Sequence, residues 1–148
     1  MIFQGEFNNS IDPKGRLSIP ARFRELLLEQ FGGERLVVTK NHDEGVTAYP
    51  LKQWEELVGK VDALNPGPLK TSAMRLIIAP AVECGFDKQG RVLIPEALRS
   101  HAGLQKDVVV VGMDDKIDIY SQSRHEEVTR KAMEHILDNP QAIADLGF

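Results

Sequence analysis

Two short stretches of the chain place a carboxylate, a glycine and a guanidinium at the same spacing: Asp12-Pro13-Lys14-Gly15-Arg16 and Asp87-Lys88-Gln89-Gly90-Arg91. An aspartate at the head of a turn can hydrogen-bond the backbone ahead of it, and glycine can take the positive φ that such a turn requires. One reading is structural: Asp12 and Arg16 pair across the turn and hold it closed. The other is anion recognition. Gly15 would let backbone approach a phosphate closely, while Arg16 extends a planar five-donor fork from the strand beyond. The same fork can grip the O6 and N7 of guanine in a major groove, which a two-stranded ribbon can enter. Local charge favours the second reading for the arginine. From Asp12 to Arg24 the chain carries Lys14, Arg16, Arg22 and Arg24 against Asp12 alone, a local charge of +3.

The elements that must position these turns come twice. Shifted by 75 positions, Ile11–Arg24 falls on Phe86–Arg99, and six of fourteen residues are identical: Asp12/Asp87, Gly15/Gly90, Arg16/Arg91, Ile19/Ile94, Pro20/Pro95 and Arg24/Arg99. With the shift reduced to 71, Tyr49 falls on Tyr120 and Glu55-Glu56 on Glu126-Glu127. Each copy reads as strand, turn, short strand, helix, hairpin and longer helix. Leu17 and Ile19 share one face of the short strand. Phe23, Leu26, Leu27 and Phe31 form a helical stripe that Gly32-Gly33 end, and Gly103 ends its counterpart. Hairpins follow at 36–49 and 108–120. Leu51, Trp54, Leu57, Val58 and Val61 predict a closing helix in the first copy, with Tyr49 and Trp54 read as core. In the second, Ser123 with Glu126 predicts a capping box. Leu69–Ile78 predicts a further helix, and the tail after Pro140 a short one.

A unit of so few strands cannot bury its sheet alone. Two copies are also too few for a solenoid, which needs at least about three. Pairing them about a pseudo-two-fold axis follows, with both turns emerging on one side. The fold class is therefore α+β: tandem βαββα repeats paired about an intramolecular pseudo-two-fold axis, with flanking helices. Boundaries fall at 7–54 and 81–125 for the two units, 55–80 for a helical linker, and 126–148 for a C-terminal helix and tail.

Composition narrows the function. With 148 residues, 27% charged and 42% hydrophobic, the chain suits a globular protein rather than a disordered one. The longest apolar run, Val108–Val111, is far short of the ~20 residues a membrane span needs. The first residues lack the basic and apolar regions of a signal peptide, and lone Cys84, flanked by Val82 and Phe86, is expected to be buried and inert. These features lead to the expectation of a cytosolic protein. The net charge of −4 is distributed unevenly, since residues 121–148 carry −2. At a Debye length of about 8 Å the basic front and acidic tail act almost independently.

The tandem Asp-x-x-Gly-Arg-(Leu/Val)-x-Ile-Pro motif, at 12–20 and 87–95, resembles that of the MraZ family, whose members contain two SpoVT-AbrB swapped-hairpin domains. The likeness extends over Tyr49-Pro50-Leu51 to Trp54 and His101-Ala102-Gly103-Leu104, and it implies that the two repeats form an intramolecular swapped-hairpin β-barrel of the AbrB-like kind. It implies a bacterial transcriptional repressor of the operon for division and cell-wall synthesis, its own gene included. It further implies double-stranded promoter DNA with short G-rich direct repeats as partner, nucleoid association, and ring-like homo-oligomers, eight subunits being one candidate size. No cofactor, metal, membrane or small-molecule substrate is implied. Carried onto this chain, the DNA-contacting positions are Lys14, Arg16 and Arg91, with Arg22 and Arg24 added as helpers from residue type and local charge; Asp12, Gly15, Asp87 and Gly90 build the turns. Gln89 departs from the pattern by standing where the first copy has Lys14, and the second motif nets only +1.

Two other classes compete. An enzyme lacks visible machinery. His125-Glu126-Glu127-Val128-Thr129 begins like a zinc-protease helix, but Thr129 stands where the second histidine belongs. Asp114, Asp115 and Asp118 lack the glycine of a calcium loop and read as a charged hairpin. No phosphate loop or nucleophile elbow occurs. An antitoxin-like or scaffold protein, using the same fold to bind another protein, is the second alternative; its binding would be insensitive to salt.

Overall fold

The computed structural model describes residues 2–33 and 35–148. The strands are β1 (Phe3–Ser10), β2 (Arg16–Ser18), β3 (Arg35–Lys40), β4 (Val46–Pro50), β5 (Val82–Gly85), β6 (Arg91–Leu93), β7 (Asp107–Asp114) and β8 (Lys116–Ser121). The helices are α1 (Ala21–Phe31), α2 (Leu51–Asp62), α3 (Pro68–Ala73), α4 (Glu96–Ala102), α5 (Gln122–Leu137) and α6 (Pro140–Asp145); a π-helical turn, Met74–Ile78, prolongs α3. The helix expected over Leu69–Ile78 is thus present, with its second half wound more loosely.

Six strands form one antiparallel sheet in the order β1-β7-β8-β4-β3-β5, and β2 pairs with β6 in a separate ribbon. The order is a palindrome under the repeat. Each repeat's first strand adds to the other repeat's hairpin, β1 to β7 and β5 to β3. This is the strand exchange of a swapped hairpin, and the chain is α+β with the AbrB-like arrangement. In the ribbon Leu17 lies opposite Val92, and in the sheet Thr47 lies opposite Asp118. These cross-strand pairs join equivalent positions of the two repeats, so the pseudo-two-fold axis passes through both. The six-stranded ladder itself stays open. The ribbon closes over it by inserting Leu17 and Val92 into the common core and by one bridge, Ile11 to Leu17.

Burial explains which residues form which element. Val108, Val109 and Val110 are all buried, because β7 lies inside the sheet and is covered on both faces. In α1 the side facing the sheet buries Phe23, Leu26 and Leu27, and Gly32 ends the helix in the left-handed conformation. The ring of Phe23 meets both Phe3 and Phe7 edge-on at 5.2 Å. Burying each such ring fully stabilises by roughly 1.5–3 kcal/mol.

Three expectations need correction. The cap of α5 is Ser121, whose hydroxyl accepts from the Arg124 amide at 3.2 Å, and not Ser123; β8 runs directly into the helix and leaves Ser121 as the last extended residue. Tyr49 and Trp54 are half-buried and pack on each other, 5.8 Å between rings, at the start of α2 outside the main core. Asp118 is no part of a solvated charged hairpin. It is buried at the axis, where its carboxylate accepts from Thr47 Oγ1 at 2.7 Å and Tyr120 Oη at 3.2 Å, and Asn41 Nδ2 donates to that tyrosine at 3.2 Å. Burial raises its pKa above the ordinary carboxylate value, and the two hydroxyl donors oppose the rise. Cys84 is buried as expected, and burial, with Glu83 nearby, pushes its thiol up to about 11.

Candidate nucleic-acid interface

The two Asp-to-Arg turns have nearly the same geometry. Asp12 Oδ1 accepts from the amides of Lys14 (3.0 Å) and Arg16 (2.8 Å), and its Oδ2 accepts from Arg16 Nε at 2.6 Å. Asp87 Oδ1 accepts from the amides of Gln89 and Arg91, both at 2.9 Å, and its Oδ2 from Arg91 Nε at 2.9 Å. Backbone bonds from Gly15 to Asp12 and from Gly90 to Asp87 close each turn. Both carboxyls are held below their ordinary pKa, first by the amide of the following arginine and then, against some desolvation, by its guanidinium. The aspartates therefore fulfil the structural reading.

The same bonds do not exhaust the arginines. Each is hydrogen-bonded through Nε, and its Nη groups make no hydrogen bond among the described residues. The ribbon register puts Arg16 opposite Leu93 and Arg91 opposite Ser18, while Leu17 and Val92 point into the core. Directly opposed residues share a face, so both guanidiniums project from the same side of the ribbon. Arg91 Nη1 lies 3.7 Å from Asp12 Oδ2, which brings the forks of the two repeats around one carboxylate. Their side chains are 36% and 25% exposed.

Beside this face lies a groove of about 590 Å³, lined among others by Asp12, Pro13, Arg16, Ser18, Arg91 and Lys106. Lys106 is exposed, and its carbonyl accepts from the Ile11 amide at 2.8 Å, which ties the α4–β7 connection to the first turn. Sequence reasoning missed it. It lies outside the repeated motif, and only the structure brings it beside Arg16.

The remaining candidates fall differently. Lys14 is exposed at the tip of the first turn, as is Gln89 at the second. Arg22 is exposed on α1, pairs with Glu25 at 3.3 Å, and is not among the groove-lining residues. Arg24 is half-buried, with its guanidinium against Gly90 of the other repeat. Gly15 and Gly90 are buried, at φ +90° and +76°. A β-carbon on Gly15 would lie 2.6 Å from Arg99 Nε, so a protein cation already occupies the close approach expected of a phosphate. Gly15 and Gly90 remain turn-builders; the phosphate-cradling role does not fit.

No group of three or more histidine, cysteine or acidic side chains among the described residues could hold a metal ion. His125 is largely covered, against Tyr120 at 6.4 Å between rings and with Nε2 3.5 Å from a Glu6 carboxylate oxygen. No helix among the described residues is long and apolar enough to cross a membrane.

A six-stranded sheet with exchanged first strands and a doubled aspartate–arginine ribbon defines a swapped-hairpin protein built from two fused copies. Residues 2–68 and 77–146 match the family described as "MraZ protein, putative antitoxin-like". A protein of Syntrophotalea carbinolica named transcriptional regulator MraZ is 46% identical over the full length of both chains. Proteins of the same name from Geobacter metallireducens and Pediococcus pentosaceus are 38% and 40% identical over 99% of this chain and all of theirs. The chain belongs to the MraZ family.

Proposed function

We propose that this protein is a transcriptional regulator, and not an enzyme, that binds promoter DNA through the β2–β6 ribbon. It represses the division and cell-wall gene cluster that contains its own gene, acts in the cytoplasm at the nucleoid, and reads short G-rich direct repeats as a ring-like oligomer. Arg16 and Arg91 read or clamp the DNA, Lys14 and Lys106 add phosphate contacts, and Arg22 contributes at long range. The reading units span 7–54 and 81–125, with 55–80 as linker and 126–148 as closing helix and tail. The names of the relatives support the regulator reading, and the resemblance of the doubled motif supports the target and the ring. The observation that carries the site is the common outward face of Arg16 and Arg91.

The charge of the molecule supports assembly. A few phosphate contacts per subunit give weak binding at cellular salt, because each neutralised phosphate adds about −0.9 to the salt slope. Linking several such faces raises avidity by roughly 10²–10⁴ when their spacing matches the DNA. A net charge of −4 over the whole chain disfavours binding through other surfaces.

The test is a gel-shift titration on DNA from upstream of the chain's own gene at two salt concentrations. Wild type should bind with a steep salt dependence. Arg16→Ala should weaken binding at least tenfold and lower the slope by about one phosphate, with the solution mass unchanged. Wild-type affinity in that variant would remove the assignment.

A further inference from the structure

Arg24 and Arg99 occupy equivalent positions in the two repeats, and each crosses to the turn of the other. Arg99, on α4 of the second repeat, lays its guanidinium on Gly15 of the first: Nε and Cζ lie 2.6 and 2.8 Å from where a β-carbon would be. Arg24, on α1 of the first repeat, lies on Gly90 of the second, with Cζ and Nε at 2.5 and 2.7 Å from the equivalent point. Backbone hydrogen bonds cross in the same sense. The Ile94 amide donates to the Gly15 carbonyl at 2.8 Å and the Ile19 amide to the Gly90 carbonyl at 3.2 Å. Arg99 Nε also donates to the Ile94 carbonyl at 2.9 Å, so this guanidinium joins the glycine of one repeat to the strand end of the other. Arg24 Nε is buried without a hydrogen-bond partner among the described residues, which makes the second contact one of packing alone.

From this reciprocal arrangement we propose that Arg24 and Arg99 are positioning residues: two cross-repeat struts that fix the separation and tilt of the Asp12–Arg16 and Asp87–Arg91 turns, and through them how the two reading arginines meet DNA. The inference rests on the DNA-binding reading for its functional half and on geometry alone for its structural half. A planar, permanently charged group suits this role. It fills the slot left by an absent side chain, and in Arg99 it also donates to a carbonyl. The slot exists only because both glycines hold positive φ with no β-carbon. Residue type and local charge alone make Arg24 a DNA contact; its burial against Gly90 makes it the support of a contact instead.

The crossing makes the test specific. Amide hydrogen exchange is followed by mass spectrometry in the full-length protein without DNA. Arg99→Gln should speed exchange of residues 12–17, in the first repeat, by tenfold or more and leave 87–92 near wild type. Arg24→Gln should do the reverse. Loosening confined to the variant's own repeat, or to neither turn, would overturn the struts. If Arg99→Gln does not fold, Arg99→Lys keeps the charge and the stem but cannot both cover Gly15 and reach the Ile94 carbonyl. It should still loosen residues 12–17, and full protection there would overturn the role given to the guanidinium.

The functional half is read from DNA titrations over a range of salt. Both Gln variants should bind the promoter about tenfold more weakly with the slope of log K against log salt unchanged. A slope reduced by about 0.9 would mean that the arginine itself neutralises a phosphate, and would overturn the positioning role. Absence of salt-dependent promoter binding by wild type would sink the DNA reading instead, while the crossed exchange pattern would stand or fall independently.

Discussion

Replacing Gly15 by alanine is the most direct perturbation of the turn, and its cost can be worked from the geometry. At φ +90° an L-residue is strained, which costs about 1–2 kcal/mol. The new methyl would also lie 2.6 Å from Arg99 Nε and 2.9 Å from the Ile94 carbonyl oxygen, so the guanidinium must leave. Its hydrogen bond to Ile94 is then lost, worth about 0.5–1.5 kcal/mol. The total is about 2.5 kcal/mol, or roughly a 5–10 °C fall in Tm for a chain of this size. Gly32→Ala is the control. It too has positive φ, +71°, but nothing lies within 4 Å of its would-be β-carbon, so only about 1 kcal/mol is expected. Denaturant melts of both variants, and of Gly15→Ala combined with Arg99→Ala, complete the experiment. Removing the guanidinium vacates the slot, so the double variant should cost about 1 kcal/mol less than the sum of the singles. A Gly15→Ala as mild as Gly32→Ala, or strictly additive costs, would refute the packing of Arg99 on the turn.

Acid should act on the same turns in a defined window. The carboxyls of Asp12 and Asp87 have lowered pKa values in the fold, so their stabilisation is complete above the ordinary value of 3.8 and is lost as pH falls through the lowered ones. The stability gap between wild type and Asp12→Asn should thus be flat from pH 7 to about 4 and shrink only below; a gap already shrinking between pH 7 and 5 would contradict it. Ser121→Ala should cost about 1 kcal/mol as a lost helix cap and Ser123→Ala under ~0.5, measured by thermal melts, and the opposite order would return the cap to Ser123. With its thiol at about 11, Cys84 is about one part in a thousand thiolate at pH 8, so a disulfide reagent should label it only after denaturation. Rapid labelling of the native protein would mean that the site opens readily.

The turns were legible because their chemistry is local. Asp12 to Arg16 and Asp87 to Arg91 are four residues apart, and the doubled pattern fixed both the hydrogen-bonding and the pairing of repeats. The hairpins were legible from runs such as Val108–Val111. What escaped was long-range. Nothing within one repeat signals that Arg99 will lie on Gly15, since an arginine beside other arginines reads as a free cation until the partner surface is seen. Asp118 misled for a related reason: its neighbours Asp114 and Asp115 are polar in sequence, but its cross-strand partner Thr47 and its companion Tyr120 bury it. Trp54 fitted a helical stripe, but the stripe of α2 lies largely outside the core, where only Val61 is buried.

Fusing two copies in one chain has a consequence for what the ribbon can read. A strict two-fold dimer presents identical groups in both directions and is matched to a palindrome. Here the axis through Leu17 and Val92 relates the tip Pro13-Lys14 to the tip Lys88-Gln89, so each tip carries one exposed lysine, but at its second position in the first turn and at its first in the second. The supports differ as well, since Arg99 holds the first turn with a hydrogen bond that Arg24 does not make under the second. On the proposed DNA-binding reading such a ribbon has a direction, and subunits of the proposed ring that preserved it would meet successive sites in one orientation. That is the demand of a direct repeat rather than an inverted one. Exchanging Lys14→Gln and Gln89→Lys together would keep total charge while moving one cation from the first tip to the second, beside Lys88, which isolates tip placement from the bulk electrostatics of the face.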